Sequence, residues 1–544
     1  MSRPLSAWKF ESAALRHQWL NFVNEYPALP PILSTESAST NVFKKTIASF
    51  TDKKGLPDKR VAKFAPSPYR ISRFDGKVRF LELPHPVPYF FLVQSLARNW
   101  DAVSPLISSE SSRIRPQHFP RTKRIVIFGH SYENEELPVF SLNNGSPELE
   151  FSLSRGTVVQ LDISNFFPSV YTHALDWAVS GKRTTSSGPG SEIDKAFQCV
   201  RTRRTDGISI GPVTSNIAAE IMLYGLDKRI AGLGFPTIYT RAIDDLTILI
   251  PPNQDPDELS NLVSNELSRV GLALNHAKTK VTPLKSFHSQ HISKSLSQIT
   301  DLISQYPSKK KLRQAFSSLY VLADKNPGSS LVKYGWKQIR SIIDAAIKRN
   351  SQYNPSYFVT LSWEMAAHYP HMIPSVVAES LFYEQKLDGR VPEQFICDLL
   401  SQQLQRGVTD TTTWLLFYCQ KQSIDPTAAL KSIDFFNLNK LSELRSTSID
   451  AFVGCTLLSF DDPSINQQLV YIFSDPGYFT DNRTLKWSDQ WPIRYSLYLR
   501  GLLTSADLEL QESQAFSVLK SEGFSILRDS SIDYRALISD FRGS

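Results

Sequence analysis

The feature that most limits how this chain can fold is a change of apolar periodicity near residue 290. Before it, short β-branched runs alternate with helical ones. After it, nearly all apolar residues recur at helical spacing. "RIVIFGH", "TVVQLDI" and "PTIYTRAI" predict strands. "VTSNIAAEIMLYGLDKRIAGL" predicts a helix, with Ile217, Ile221, Leu223, Leu226, Ile230 and Leu233 on its apolar face. From "LSQITDLISQY" to "IRYSLYLRGLL" helical segments follow one another, separated by short breaks with Pro, Gly, Asn or Asp. Successive segments come roughly every 18 to 22 residues and pairs about every 40, the period of stacked helical pairs. No signature motif repeats, so a non-repetitive helical bundle is the alternative. The 544 residues exceed what one core organises. They divide into an N-terminal extension, 1–60, with the Pro/Ser-rich "YPALPPILSTESAST"; a mixed α/β part, 61–290; and an all-α part, 291–544.

Charge is unevenly spread. Residues 41 to 130 hold 17 Lys/Arg against 6 Asp/Glu, while the whole chain carries only +7. A basic segment on a neutral to acidic body suits phosphate-bearing partners, although a solvated surface would look the same. No run approaches the ~18 apolar residues of a membrane span, and "MSRPLSAWKFESAALRHQW" lacks a signal-peptide pattern. Cys199, Cys397, Cys419 and Cys455 are far apart and form no zinc spacing. A cytoplasmic protein with reduced thiols is expected.

Four stretches carry the chemistry. In "YTRAIDDLTILI", Asp244 and Asp245 interrupt an apolar, β-branched run. Two aspartates at a hairpin tip make a good turn, but adjacent carboxylates also suit magnesium. Upstream, Asp162 ends the strand of "TVVQLDISNFFPSV". Between them, "GISIGPVTSNIAAEIML" is a Gly-rich turn opening a helix, and downstream "GLALNHAKTKV" carries Lys278 and Lys280. Each piece alone could be structural; their order is what carries the signal.

That order resembles the palm of a reverse transcriptase over roughly residues 60 to 290. "QLDISNFFPSV" resembles the family's first palm motif and "GISIGPVTSN" its Gly-rich second motif. "AIDD" resembles its Tyr-x-Asp-Asp motif, and "LNHAKTKV" the element that follows. The resemblance implies an α/β palm and fingers, here followed by an all-α, HEAT-like helical-repeat domain. It implies dNTPs as substrates and two magnesium ions, which two-metal enzymes hold ~3.5 to 4 Å apart. Asp162, Asp244, Asp245 and the backbone carbonyl of Ile163 would hold them. By the same resemblance Asn165 lies near the triphosphate, and Lys278 neutralises or protonates pyrophosphate. Phe167 excludes a 2′-hydroxyl, with core packing as the alternative for its ring. Arg113 and Arg115, with Arg121, Lys123 and Arg124, would cradle triphosphate or strand backbone.

The chain departs from typical members in two places. Ile210 stands where they have Gln, and Ala242 where they have the Tyr of the Asp-Asp motif. Both departures remove groups beside the nascent base pair and leave the metal carboxylates in place. There is no Val-Thr-Gly thumb element and no Cys/His nuclease or integrase domain. "RISRFDGKVRFLELPHPVPYFFLVQSLARNW", "SSRIRP" and "IGPVTSNIAAEI" are similar to bacterial abortive-infection and defence-associated reverse transcriptases. That likeness implies an antiphage role, homo-oligomers, and DNA made without a template on a protein hydroxyl, for which Tyr26, Tyr69 and Tyr89 are candidates. The alternatives are a templated enzyme copying an associated noncoding RNA, and a non-catalytic palm whose helical part binds a partner protein.

Overall fold

The structure is a computed structural model. It describes residues 7–16, 19, 29–53, 56–107, 155–183, 187–235, 237–289, 299–303, 307–327, 330–440, 443–444, 447–474, 489–528 and 533–542. Arg113, Arg115, Arg121, Lys123, Arg124, the strand expected at "RIVIFGH" and Tyr26 lie outside the described residues.

A four-stranded antiparallel sheet organises the α/β part. Its strands are β3 (Thr157–Asp162), β4 (Ile238–Ala242), β5 (Asp245–Ile250) and β6 (Lys280–Pro283), in the order β4-β5-β3-β6. β3 is central. Val158, Val159 and Leu161 are buried, so both of its faces are covered, as its unbroken apolar run requires. Helix Pro256–Ser268 packs on β3. Helix Val213–Ala231 starts after Gly211, whose φ of 126° suits only glycine, and Pro212 caps it. Its side chains reach β4 through Asp227, which accepts a 2.8 Å hydrogen bond from the Tyr239 hydroxyl.

A separate hairpin joins β1 (Ser67–Ser72) to β2 (Val78–Leu83), paired from Ser67↔Leu83 to Ser72↔Val78. Its tip is Asp75-Gly76, with Gly76 at φ 73°, the turn chemistry hairpins favour. One strand meets the helical part. The Arg70 amide donates to Thr409 Oγ1 at 3.0 Å, the Ser72 amide to Asp410 Oδ1 at 3.1 Å, and Arg70 pairs with Asp450 at 3.2 Å. The other strand meets the Gly-rich turn. The Glu82 amide donates to the Ile210 carbonyl at 2.9 Å, and Ser209 Oγ donates to Glu82 Oε2 at 2.7 Å.

In the helical part, four helices stack in a row: Ile373–Tyr383, Thr409–Gln422, Ala451–Leu458 and Trp491–Leu499. They start 36, 42 and 40 residues apart. Thr409 through Cys419 and all of Ala451–Leu458 are buried, which is why these helices are apolar or small all round. Further helices flank them, among them Ser356–His368, Glu393–Arg406, Pro463–Phe473 and Leu510–Ser521. The N-terminal segment closes onto the last helices. Thr40–Ser49 packs on Leu510–Ser521, and the Ser34 amide donates to the Ile526 carbonyl at 2.9 Å. One apolar core runs from Phe10 to Ile538. Among the described residues no helix is long and apolar enough to cross a membrane.

Candidate active site

Asp162 is the last residue of β3 and lies opposite Asp245, the first residue of β5. Asp244 occupies the turn just before, and its carbonyl accepts the Ile163 amide at 3.1 Å. Antiparallel register therefore brings carboxylates 83 residues apart in sequence together at one end of the two inner strands. The stretch after β3 is pinned from its other side. The Asn275 amide donates to the Asp162 carbonyl at 2.7 Å, and Asn275 Nδ2 donates to Asp162 Oδ2 at 3.1 Å. Lys278 Nζ donates to Asp162 Oδ1 at 2.8 Å, so the sequence-predicted lysine does reach the site.

The electrostatics follow from crowding. Burial, then the Asp245 and Asp162 charges, push Asp244 up to about 6. Burial and then Asp162 also raise Asp245, against the pull of Lys278. The Arg79 guanidinium, on β2, draws both carboxyls down. Like charges held together this way hold protons or a cation. The donor set is all hard carboxylate oxygen, which fits magnesium. Among the described residues, no three acidic, His or Cys side chains already close around a single point. Asp162, Asp244 and Asp245 are the side chains that would hold the ions; the Ile163 carbonyl is assigned by resemblance alone.

Phe167 lies in the short helix Phe166–Ser169, one turn past Asp162, and its carbonyl accepts the Ile208 amide of the Gly-rich turn at 3.0 Å. The Gly207 amide bonds the Val170 carbonyl at 2.7 Å, and a Cβ there would meet Pro168 O at 3.0 Å. The Phe167 ring is half-buried, edge-on to Phe166 at 5.2 Å between centroids. It thus serves the core at least in part. Asn165 is exposed and left-handed, with φ 44°, a conformation asparagine tolerates.

Sequence reasoning passed over Arg79 and a buried group behind the Asp turn, and it quoted Asn275 within "LNHAKTKV" without giving it a role. Arg241 of β4 is enclosed, ion-paired to Glu220 at 2.8 Å and to Asp227 at 2.6 Å, both on helix Val213–Ala231. The Asp-Gly tip between β1 and β2 was the available signal for Arg79. Two of the candidate priming tyrosines are not accessible. Tyr69 and Tyr89 are fully buried; the Tyr89 hydroxyl donates to the Ala14 carbonyl at 3.1 Å, and burial raises both phenols.

No family model matches the chain, and no curated protein does. Nothing found by comparison therefore places it among the bacterial defence enzymes. Among solved structures it is similar to apo telomerase from Candida tropicalis, at 13% identity over 72% of this chain and 68% of that one, with a TM-score of 0.29. It is also similar to telomerase from Candida albicans in complex with a TWJ fragment of telomeric RNA. That match has 8% identity over 77% of this chain and 71% of that one, with a TM-score of 0.31.

Proposed function

We propose that this chain is a reverse-transcriptase-type polymerase that joins dNTPs into DNA and acts in defence against phage. The observation that supports it most is the register pairing of Asp162 with Asp245, beside Asp244 and under Lys278. When bound, two magnesium ions would activate the attacking hydroxyl and stabilise the leaving pyrophosphate. The chain's own residues do the rest. Asp162, Asp244 and Asp245 supply the oxygens that seat the ions. Arg79 offers a cation from the β1–β2 hairpin within electrostatic reach of Asp244 and Asp245, where it could meet phosphate charge. Lys278 is near enough to Asp162 to neutralise the leaving group or give it a proton.

The finer reading is synthesis without a template, started on a hydroxyl of the protein itself, by a homo-oligomer. Ile210 and Ala242 support it, because neither offers the polar or stacking group that would hold template and primer. The basic excess of residues 41–130 favours a second reading, templated synthesis on an associated noncoding RNA. A palm kept only as a scaffold has no use for carboxyls crowded together where burial, and then neighbouring like charge, pushes them up.

The test is purified full-length protein with magnesium and each labelled dNTP in turn, with no added nucleic acid, before and after nuclease treatment. Incorporation that survives nuclease treatment and is missing from Asp244→Asn supports the proposal. Incorporation that needs a copurifying RNA favours the second reading. No incorporation under any condition refutes polymerase activity.

A further inference from the structure

The turn that carries Asp244 is not self-supporting. Ile243, directly before it, sits at φ 58°, a left-handed conformation that a β-branched residue adopts only when its surroundings impose it. What imposes it lies behind the sheet. Arg241 is fully enclosed, and its five N–H groups have five acceptors. Nε donates to Asp227 Oδ1 at 2.9 Å and Nη2 to Asp227 Oδ2 at 2.6 Å. Nη1 and Nη2 donate to Glu220 Oε1 and Oε2 at 3.1 and 2.8 Å. The fifth bond leaves the helix: Nη1 donates to the Ile243 carbonyl at 3.2 Å.

Glu220 and Asp227 are seven residues apart, two turns along helix Val213–Ala231, so they lie on one face and grip the guanidinium like a fork. The helix cannot move relative to β4 without breaking four charge-assisted bonds. The strained carbonyl next to Asp244 is thereby referenced to a rigid helix. Lysine could keep one ion pair but could not span two carboxylates and a carbonyl at once.

Resting on the polymerase reading above, we infer that Arg241 is a positioning residue. Clamped by Glu220 and Asp227, it holds the Ile243 carbonyl and so aims Asp244 and Asp245 at Asp162.

The test compares Arg241→Lys with Arg494→Lys. Arg494 is an equally buried arginine in the helical part, paired to Glu512 at 2.7 Å and bonded to the Ser474 carbonyl at 2.8 Å. Both variants should melt earlier than the parent. Only Arg241→Lys should lower kcat for dNTP incorporation, by about tenfold or more with KM changed less than about twofold. Only it should speed amide hydrogen exchange in the peptide spanning 239–250. Parent-like kcat and exchange in Arg241→Lys overturn the inference. So does an equal loss in both variants, which would make the effect one of global stability. If Arg241→Lys does not fold, Glu220→Gln, which keeps one acceptor for the guanidinium, carries the same comparison. If the parent incorporates nothing, the polymerase reading fails, and exchange at 239–250 still decides the clamp.

Discussion

Replacing Asp410 by Asn should change how stability depends on pH. Asp410 lies in the first turn of the inner helix Thr409–Gln422 and is 7% exposed. Its Oδ1 accepts the Ser72 amide of β1 at 3.1 Å and the Thr411 amide at 2.7 Å. Burial pushes its carboxyl up to about 7, against the pull of these amides and of Lys333. Lys333 is itself pushed down to about 8 by burial. Folding therefore favours protonated Asp410. Its stabilising share is complete below the unfolded value near 3.8 and is lost as pH rises through about 7. The gap of about three pH units corresponds to roughly 4 kcal/mol as an upper bound. Asparagine keeps an acceptor for both amides and has nothing to ionise. Between pH 4.5 and 7.5 about 3 kcal/mol of this is lost, so at about 2 °C per kcal/mol for a unit of some 250 residues the melting temperature of the parent should fall against that of Asp410→Asn by up to about 6 °C. Differential scanning fluorimetry at closely spaced pH values reads this directly. Parallel curves for parent and variant would refute the reasoning, since they would mean that Asp410 ionises as easily folded as unfolded.

Four further outcomes follow from the site. Asp162→Asn and Asp244→Asn should each lower incorporation by about 10²-fold or more while circular dichroism and melting stay near the parent's, and near-parent incorporation would remove them from the metal site. Phe167→Ala should admit ribonucleotides, measured by rNTP against dNTP incorporation; a soluble variant that still rejects rNTPs would leave the ring with packing alone. DNA made by the chain should stay with protein on phenol extraction until protease is added, and Tyr69→Phe and Tyr89→Phe should not change this, because both phenols are buried. Light scattering should find a closed homo-oligomer, and a species of only 61.5 kDa at all working concentrations would end that idea.

What was legible in the sequence was periodic or chemically unusual. The helical run after residue 290 was visible because amphipathic spacing is local, and the row of inner helices keeps the expected period of about 40 residues. Asp162, Asp244 and Asp245 stood out because carboxylates at strand ends need a reason, and Lys278 because it follows them in the ordered set of motifs. The docking of β1 on Thr409–Gln422 joins residues some 340 positions apart, and no local pattern encodes such a contact. "TDTTT" reads as a solvated helix start, yet Thr409 to Thr413 are all buried: β1 supplies hydrogen-bond partners to Thr409 and Asp410, while the Thr411 and Thr412 hydroxyls donate to Gln403 Oε1 and the Val408 carbonyl. The Arg241 clamp did leave a trace. Glu220 and Asp227, seven apart, fall within a helix whose apolar side was already mapped by Ile217, Ile221 and Leu223. Two acids so placed ask for a cation, and the next strand, "IYTRA", supplies one.

The two departures at the site have a backbone explanation. Ile210 contributes its carbonyl, which takes the Glu82 amide and fastens the Gly-rich turn to β2. Ala242 pairs with Asp245 across the β4–β5 ladder. These are main-chain tasks that any residue able to adopt the conformation performs, so neither constrains its side chain to be polar or aromatic. Positioning rests instead on side chains outside the Asp-Asp turn and the Gly-rich turn. Arg241 sets the Asp turn from behind, Asn275 fixes Asp162 from the side, and Asp410 with Asp450 holds the hairpin that presents Arg79. The carboxylates at this site are thus placed by hydrogen bonds and strand register within the chain itself.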